Sequence, residues 1–254
     1  GISRGARINL EMGGKDPFIV CGDLDSEAVR IAARGGAWAA YLNAGQVCTS
    51  SERFYVMENV YDEYVSAFLE HTKSLAIGDP LDAKTDLGPM ISATQRGKAL
   101  AQVEAAVDAG GVLLTGGDDA GFETGHYLSP CVLTGVPEDT DLMTEETFGP
   151  VAPILPVSNL EEAIGKANGL DFGLGANIYT RDLKTAITCL KGVRAGSVWI
   201  NDPLTDNDAG PFGGFKNSGI GRELGTEGLD AFREAKHVHM DSEIEVKDWW
   251  YPYG

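Results

Sequence analysis

The chain has 254 residues, 43% hydrophobic and 23% charged, a balance that suits a globular protein with a substantial core. Its 38 acidic residues against 20 basic ones leave a net charge of −18, which repels nucleic acid and anionic lipid and reads as an acidic solvated surface or as adaptation to salt. No apolar run approaches the roughly 20 residues that span a bilayer, the opening Gly1-Ile2-Ser3-Arg4 lacks the apolar segment of a signal peptide, and the four cysteines form no Cys-x-x-Cys pair. A single large domain with appendages is therefore expected, without membrane or nucleic-acid partners, in a reducing compartment such as the cytoplasm.

Residues 6–10 and 17–21 read as short extended segments, the second apolar throughout as in a strand covered on both faces. Asp25 and Ser26 offer N-caps for an alanine-rich helix over 26–42, which Asn43 and Gly45 stop. A buried strand at 54–57 follows, then an amphipathic helix over 61–72 with Tyr61, Tyr64, Val65, Phe68 and Leu69 on one face. A helix over 93–109 ends at Gly110-Gly111 and gives way to a strand at 112–115. Further strands are expected at 127–133 and 151–157, the latter at an edge or bulged because of Pro153 and Pro156. A helix over 160–168, a strand at 176–180, a helix over 183–191 and a strand at 197–200 complete the alternation. Together they predict an α/β fold with a mainly parallel sheet flanked by helices. From 201 to 221 the pattern gives way to a glycine-rich loop too long to be idle. Residues 232–240 look extended again, with His237 and His239 on one side but no third ligand to make a metal site, and an aromatic tail runs from 248 to 253.

Chemistry concentrates at Cys48, delivered on a short turn between helix and strand. Free cysteine is ordinarily a small buried hydrophobe. At a turn with free backbone amides, however, a thiol ionises more readily, and the thiolate is the nucleophile.

Four motifs stand in a fixed order around it: Glu11-Met12-Gly13-Gly14-Lys15; Gly45-Gln46-Val47-Cys48; Glu146-Thr147-Phe148-Gly149-Pro150; and Pro211-Phe212-Gly213-Gly214-Phe215-Lys216 continuing into Ser218-Gly219-Ile220-Gly221-Arg222-Glu223. In these the chain resembles the aldehyde dehydrogenase superfamily, in its carboxy-terminal, catalytic half. The resemblance implies oxidation of an aldehyde to an acid with NAD or NADP. Cys48 would be the nucleophile, with its own N–H on the oxyanion, and Glu11 the base that activates water. Glu223 would assist proton movement. Glu146 would grip the hydroxyls of the nicotinamide ribose, Phe148 would pack near the ring, and Met12 and Gly13 would let the backbone approach the cofactor. Gln46, Val47 and Asn201 would line the substrate's path, although Asn201 serves equally well as a cap.

Family members are about twice as long, with an amino-terminal nucleotide domain. Residues 1–20 are thus expected to be the last strand and hinge of that domain, 21–234 the catalytic domain, and 235–254 an oligomerisation strand with its aromatic tail, giving a dimer or tetramer. Two other readings remain open on sequence: a cofactor-independent thiol esterase, and a non-catalytic assembly module.

Overall fold

The computed structural model describes residues 2–205 and 207–252; Gly1 of the opening and Tyr253 and Gly254 of the tail lie outside it. Its framework is a seven-stranded sheet. In chain order the elements are β1 (Leu10–Glu11), β2 (Asp16–Val20), α1 (Ser26–Tyr41), β3 (Ser51–Met57), α2 (Glu58–Ser74), α3 (Ala93–Asp108), β4 (Val112–Thr115), β5 (Cys131–Thr134), α4 (Asp141–Thr144), β6 (Val151–Val157), α5 (Leu160–Asn168), β7 (Gly175–Tyr179), α6 (Leu183–Gly192), β8 (Ser197–Ile200), β9 (Gly219–Ile220) and α7 (Gly225–Asp230). The large sheet runs β4-β5-β6-β3-β2-β7-β8, with every neighbouring pair parallel except β4 against β5. The expected mainly parallel α/β fold is what the chain adopts. β2, expected to close the preceding domain, sits between β3 and β7 with all five residues buried.

Local chemistry explains the helices. Asp25 caps α1 by accepting the Ala28 N–H at 2.9 Å, and Ser92, Asn159 and Asp182 do the same for α3, α5 and α6. The alanines of α1 bring its backbone close to the sheet and to α2, where Phe18, Phe54 and Phe68 pack ring against ring at 5.1 and 5.4 Å.

Four expectations need correction. β6 is interior, not an edge: its two prolines stand three residues apart, so their missing N–H groups face opposite neighbours and each ladder loses one donor. The strand expected over 127–133 begins only at Cys131, because the preceding backbone bonds instead to the loops at Met90 and Asp118. Of the segment 6–10 only Leu10 is in a strand, and β1 pairs with β9 in a separate two-stranded ribbon. Residues 233–249 hold neither helix nor strand and are nearly all exposed, so the strand expected over 232–240, with His237 and His239, is not formed. A strand exists through its ladder, and this segment lies on no sheet edge of its own chain.

Candidate active site

The site lies at the amino-terminal ends of β2, β3 and β7. α1 stops because Asn43, Ala44 and Gly45 take positive φ values of 52°, 56° and 70° in succession. Gly45 has no alternative, since a Cβ there would strike the backbone carbonyl of Gly149. The chain then turns once more over 47–50, closed by Ser50 N–H donating to Val47 at 2.9 Å, and enters β3. Cys48 rides on this turn, half-buried, whereas Cys21, Cys131 and Cys189 are buried in the core.

The surroundings of the thiol oppose its ionisation. Burial pushes the pKa of Cys48 up, and the carboxyls of Asp16 and Glu11 push it further; the amides of Thr49 and Cys48 pull the other way without prevailing. The shift is thus opposite in direction to the acidified thiol expected at this turn, because burial and then the two carboxyls outweigh the two amides.

Glu11 is placed by the β1–β9 ribbon, in which it pairs with Gly219. The same ribbon brings up Glu223, whose Oε1 accepts from Asn9 at 3.1 Å and whose backbone pairs with Phe212. Burial and then the neighbouring Glu223 raise the pKa of Glu11, while Arg222 opposes them. Glu11 is thus an exposed carboxylate of raised pKa whose charge is felt at the thiol.

The Glu146–Pro150 loop closes the other side. Glu146 Oε1 accepts the Gly14 N–H at 3.1 Å, and a Cβ on Gly13 would collide with that carboxylate, so the glycine pair is the seat of Glu146. Burial raises its pKa and the Gly14 amide partly offsets the shift. Beneath the loop is a buried ion pair. Lys15 Nζ donates to Glu52 Oε2 at 2.6 Å and to Thr147 Oγ1 at 2.9 Å. Glu52 also accepts the N–H groups of Thr147 and Phe148 at 2.7 and 2.8 Å. From α3, Gln95 donates to the carbonyls of Thr147 and Phe148, and Lys98 Nζ to that of Glu146 at 2.6 Å. Phe148 is held by both anchors at a positive φ of 52°.

The sequence reading assigns no role to Lys15, Glu52, Gln95, Lys98 or Asp16. Its one available signal is the charged pair Glu52-Arg53 inside an otherwise apolar strand, which demands partners. Arg53 meets that demand by donating to the carbonyls of Lys15, Lys166 and Ala167 at 2.8, 2.9 and 3.0 Å.

Of the remaining expected residues, Gln46 ties the nucleophile turn to the loop before α3 by accepting the Ile91 N–H at 2.8 Å. Val47 lies partly exposed beside Cys48, and the Met12 N–H donates to Ser218 at 2.9 Å. Asn201 is not brought to the site. It follows β8 at the opposite, carboxyl-terminal end of the sheet, where its side chain clasps Thr180 through both N–H and carbonyl at 2.9 and 2.8 Å. Among the described residues no cluster of His, Cys, Asp and Glu has the makings of a metal site.

Fold and cluster together define a parallel α/β protein with a thiol-centred site, flanked by a basic carboxylate and by a loop-borne carboxylate seated on two glycines. The chain matches the aldehyde dehydrogenase family over residues 2–238 and belongs to it. It is 39% identical over 241 residues to a mitochondrial aldehyde dehydrogenase of Leishmania tarentolae, covering 95% of this chain and 48% of that one. It is 42% identical over 238 residues to retinaldehyde dehydrogenase 3 of Mus musculus, covering 93% and 46%. Among solved structures, the NAD-dependent aldehyde dehydrogenase of Sinorhizobium meliloti superposes with a TM-score of 0.91 at 39% identity, over 96% of this chain and 48% of that one. Betaine aldehyde dehydrogenase of Staphylococcus aureus in complex with NAD+ does so with 0.89 at 32% identity, over 98% and 49%. The chain thus spans about half the length of these relatives.

Proposed function

We propose that the protein oxidises an aldehyde to a carboxylic acid with NAD or NADP, through a thioester on Cys48. The observation that carries the reading is the pairing, in a member of this family, of a half-buried thiol on a glycine turn with a carboxylate of raised pKa whose charge reaches it. Glu11 takes the thiol proton as Sγ adds to the aldehyde carbon. The amide of Cys48 stabilises the oxyanion, whose collapse to the thioester expels the former aldehyde hydrogen as a hydride that the bound cofactor would accept. With Glu11 relieved of its proton, the same carboxylate activates the water that releases the acid, and Glu223 passes protons outward.

The residues present fit the nicotinamide end of the cofactor. Glu146 offers a half-buried carboxylate suited to a ribose diol, fixed by a glycine pair that a Cβ would close, and Phe148 is held beside it at a strained backbone angle. When bound, the cofactor supplies the hydride acceptor. Met12 and Gly13 border the same face, and Gln46 and Val47 flank the path to Cys48.

The catalytic unit in this reading runs through residue 234 and takes in β2, which lies inside its sheet, and residues 235–254 are an assembly element. Val238 is 66% exposed, Met240 85% and Trp249 71%, which suits cover by a second copy in a dimer or tetramer. No helix among the described residues is long and apolar enough to cross a membrane, and a cytoplasmic location is part of the proposal. The experiment is aldehyde-dependent formation of reduced cofactor by the wild type and by Cys48→Ser. Loss of that signal in the variant supports the reading. Ester hydrolysis without any cofactor-dependent oxidation would favour the thiol esterase, and oxidation surviving in the variant would refute Cys48 as nucleophile.

A further inference from the structure

Asp16 is a buried acid with no part in the chemistry above. It is 1% exposed, and neither carboxylate oxygen has a partner of hydrogen-bond geometry, the amide of Gly175 giving the largest opposing stabilisation. Its placement is specific. The point at which a Cβ on Gly14 would stand is 2.6 Å from Asp16 Oδ1 and 3.0 Å from the backbone oxygen of Cys48, so the carboxyl and the nucleophile turn close on the same side of Gly14. On the other side a Cβ on Gly175 would strike Oδ2, and a cavity of about 10 Å³, the least that admits one water, opens between Asp16, Arg53, Phe172 and Arg194.

An unpaired carboxylate in such a place costs far more than the neutral acid. We propose that Asp16 is a positioning residue for Cys48: a carboxyl kept neutral beside the turn, whose ionisation would set an anion against the thiolate and withhold the nucleophile at high pH. The inference rests on reading Cys48 as the nucleophile.

The charges around Asp16 do not neutralise it. Lys15, its neighbour in the chain just before β2, is spoken for by Glu52 and Thr147. From β3, Arg53 favours the anion while Glu52 opposes it, and Glu146 opposes it from the loop before β6. Arg194 lines the cavity from the loop before β8. Burial outweighs these and raises the pKa of Asp16 to about 8, and Asp16 in turn pushes the thiol up more than Glu11 does. The acid therefore titrates below the thiol it faces.

The test is the pH profile of Cys48 alkylation by iodoacetamide, with the modified cysteine mapped by mass, in the wild type and in Asp16→Asn. The isosteric amide removes the charge, so the midpoint of alkylation moves down by about one pH unit; between about pH 8 and the wild-type midpoint the rate rises by up to about tenfold, while below about pH 8, where Asp16 is neutral in the wild type, the two rates agree. A folded Asp16→Asn protein with the wild-type midpoint overturns the proposal. Should the variant not fold, 13C NMR of wild-type protein labelled at the aspartate carboxyls decides: one aspartate titrating near 8 is expected, and all titrating below about 6 overturns it. Neither readout depends on turnover. If Cys48→Ser keeps its aldehyde oxidation, the catalytic reading fails, while the alkylation profile still reports on Asp16.

Discussion

The buried pair Lys15–Glu52 makes a quantitative prediction, because it joins the core to the loop that carries Glu146 and Phe148. Its side chains are 0% and 3% exposed, and Glu52 accepts three bonds, from Lys15 and from the amides of Thr147 and Phe148. Glu52→Gln preserves shape but leaves the Lys15 ammonium buried without its counter-ion, at a cost of about 3–5 kcal/mol. Against a total stability of roughly 5–15 kcal/mol that is a large fraction. Lys15→Met costs less, about 1–3 kcal/mol, because Glu52 retains two amide donors. The double variant contains neither charge, and the carboxamide introduced at position 52 still accepts from the loop through its carbonyl. Its loss therefore falls short of the summed single losses by at least about 1 kcal/mol. Urea unfolding at pH 7 followed by far-UV circular dichroism measures all three. Additive costs, or a Glu52→Gln protein within about 0.5 kcal/mol of wild type, would refute the reasoning.

Glu11→Gln leaves thioester formation slowed but slows its hydrolysis more, so steady turnover falls by about 10²–10⁴ while an initial burst of reduced cofactor persists; a lost burst with unchanged steady turnover contradicts the assignment. Because the pKa of Glu11 is raised above 4.5, its base form disappears as pH falls through a value higher than an ordinary glutamate's, and the acid limb of the rate profile, absent in Glu11→Gln, lies above 4.5 accordingly. Asp16 has a linked effect on stability. Its folded pKa of about 8 stands above the ordinary 3.8, so the folded state holds a proton that the unfolded state gives up, and stability declines as pH rises between those values. Asp16→Asn removes that decline, and thermal melts that fall equally with pH in both proteins would refute it. Deleting residues 235–254 shifts the assembly to a smaller mass by light scattering; an unchanged mass rules the segment out as the assembly element.

The fold is legible wherever periodicity and punctuation agree. The bounds of α5, β4, β6 and β8 follow from apolar runs and from Gly169 and the flanking glycines. The place of β6 within the sheet does not follow, because proline content says how many donors a strand lacks, not which ladder loses them. The segment 232–240 reads as a strand from its residues, but pairing is a property of two segments, and among the described residues no sheet edge pairs with it. At the site, motif order finds Cys48, Glu11, Glu146 and Phe148, whereas Gln95 and Lys98 act through the carbonyls of a distant loop and leave no trace in local pattern. Asn201 is misjudged for a related reason: following a strand does not tell which end of the sheet the strand's end occupies. The thiol's electrostatics come out with the wrong sign when the turn's amides are counted without burial. Asp16 compounds the error, since it looks like an ordinary residue before Pro17 and yet its carboxyl lies close to the turn and raises the thiol's pKa.

The central claim is that Cys48 carries the acyl group. Its most direct test is rapid acid quench of the protein turning over an aldehyde with NAD or NADP, followed by peptide mass mapping. An acyl adduct on the peptide containing Cys48, dependent on the cofactor and accumulating in Glu11→Gln, is the predicted result. Acid product formed with no adduct on Cys48 in either protein, or an adduct on Cys21, Cys131 or Cys189 instead, would contradict the account.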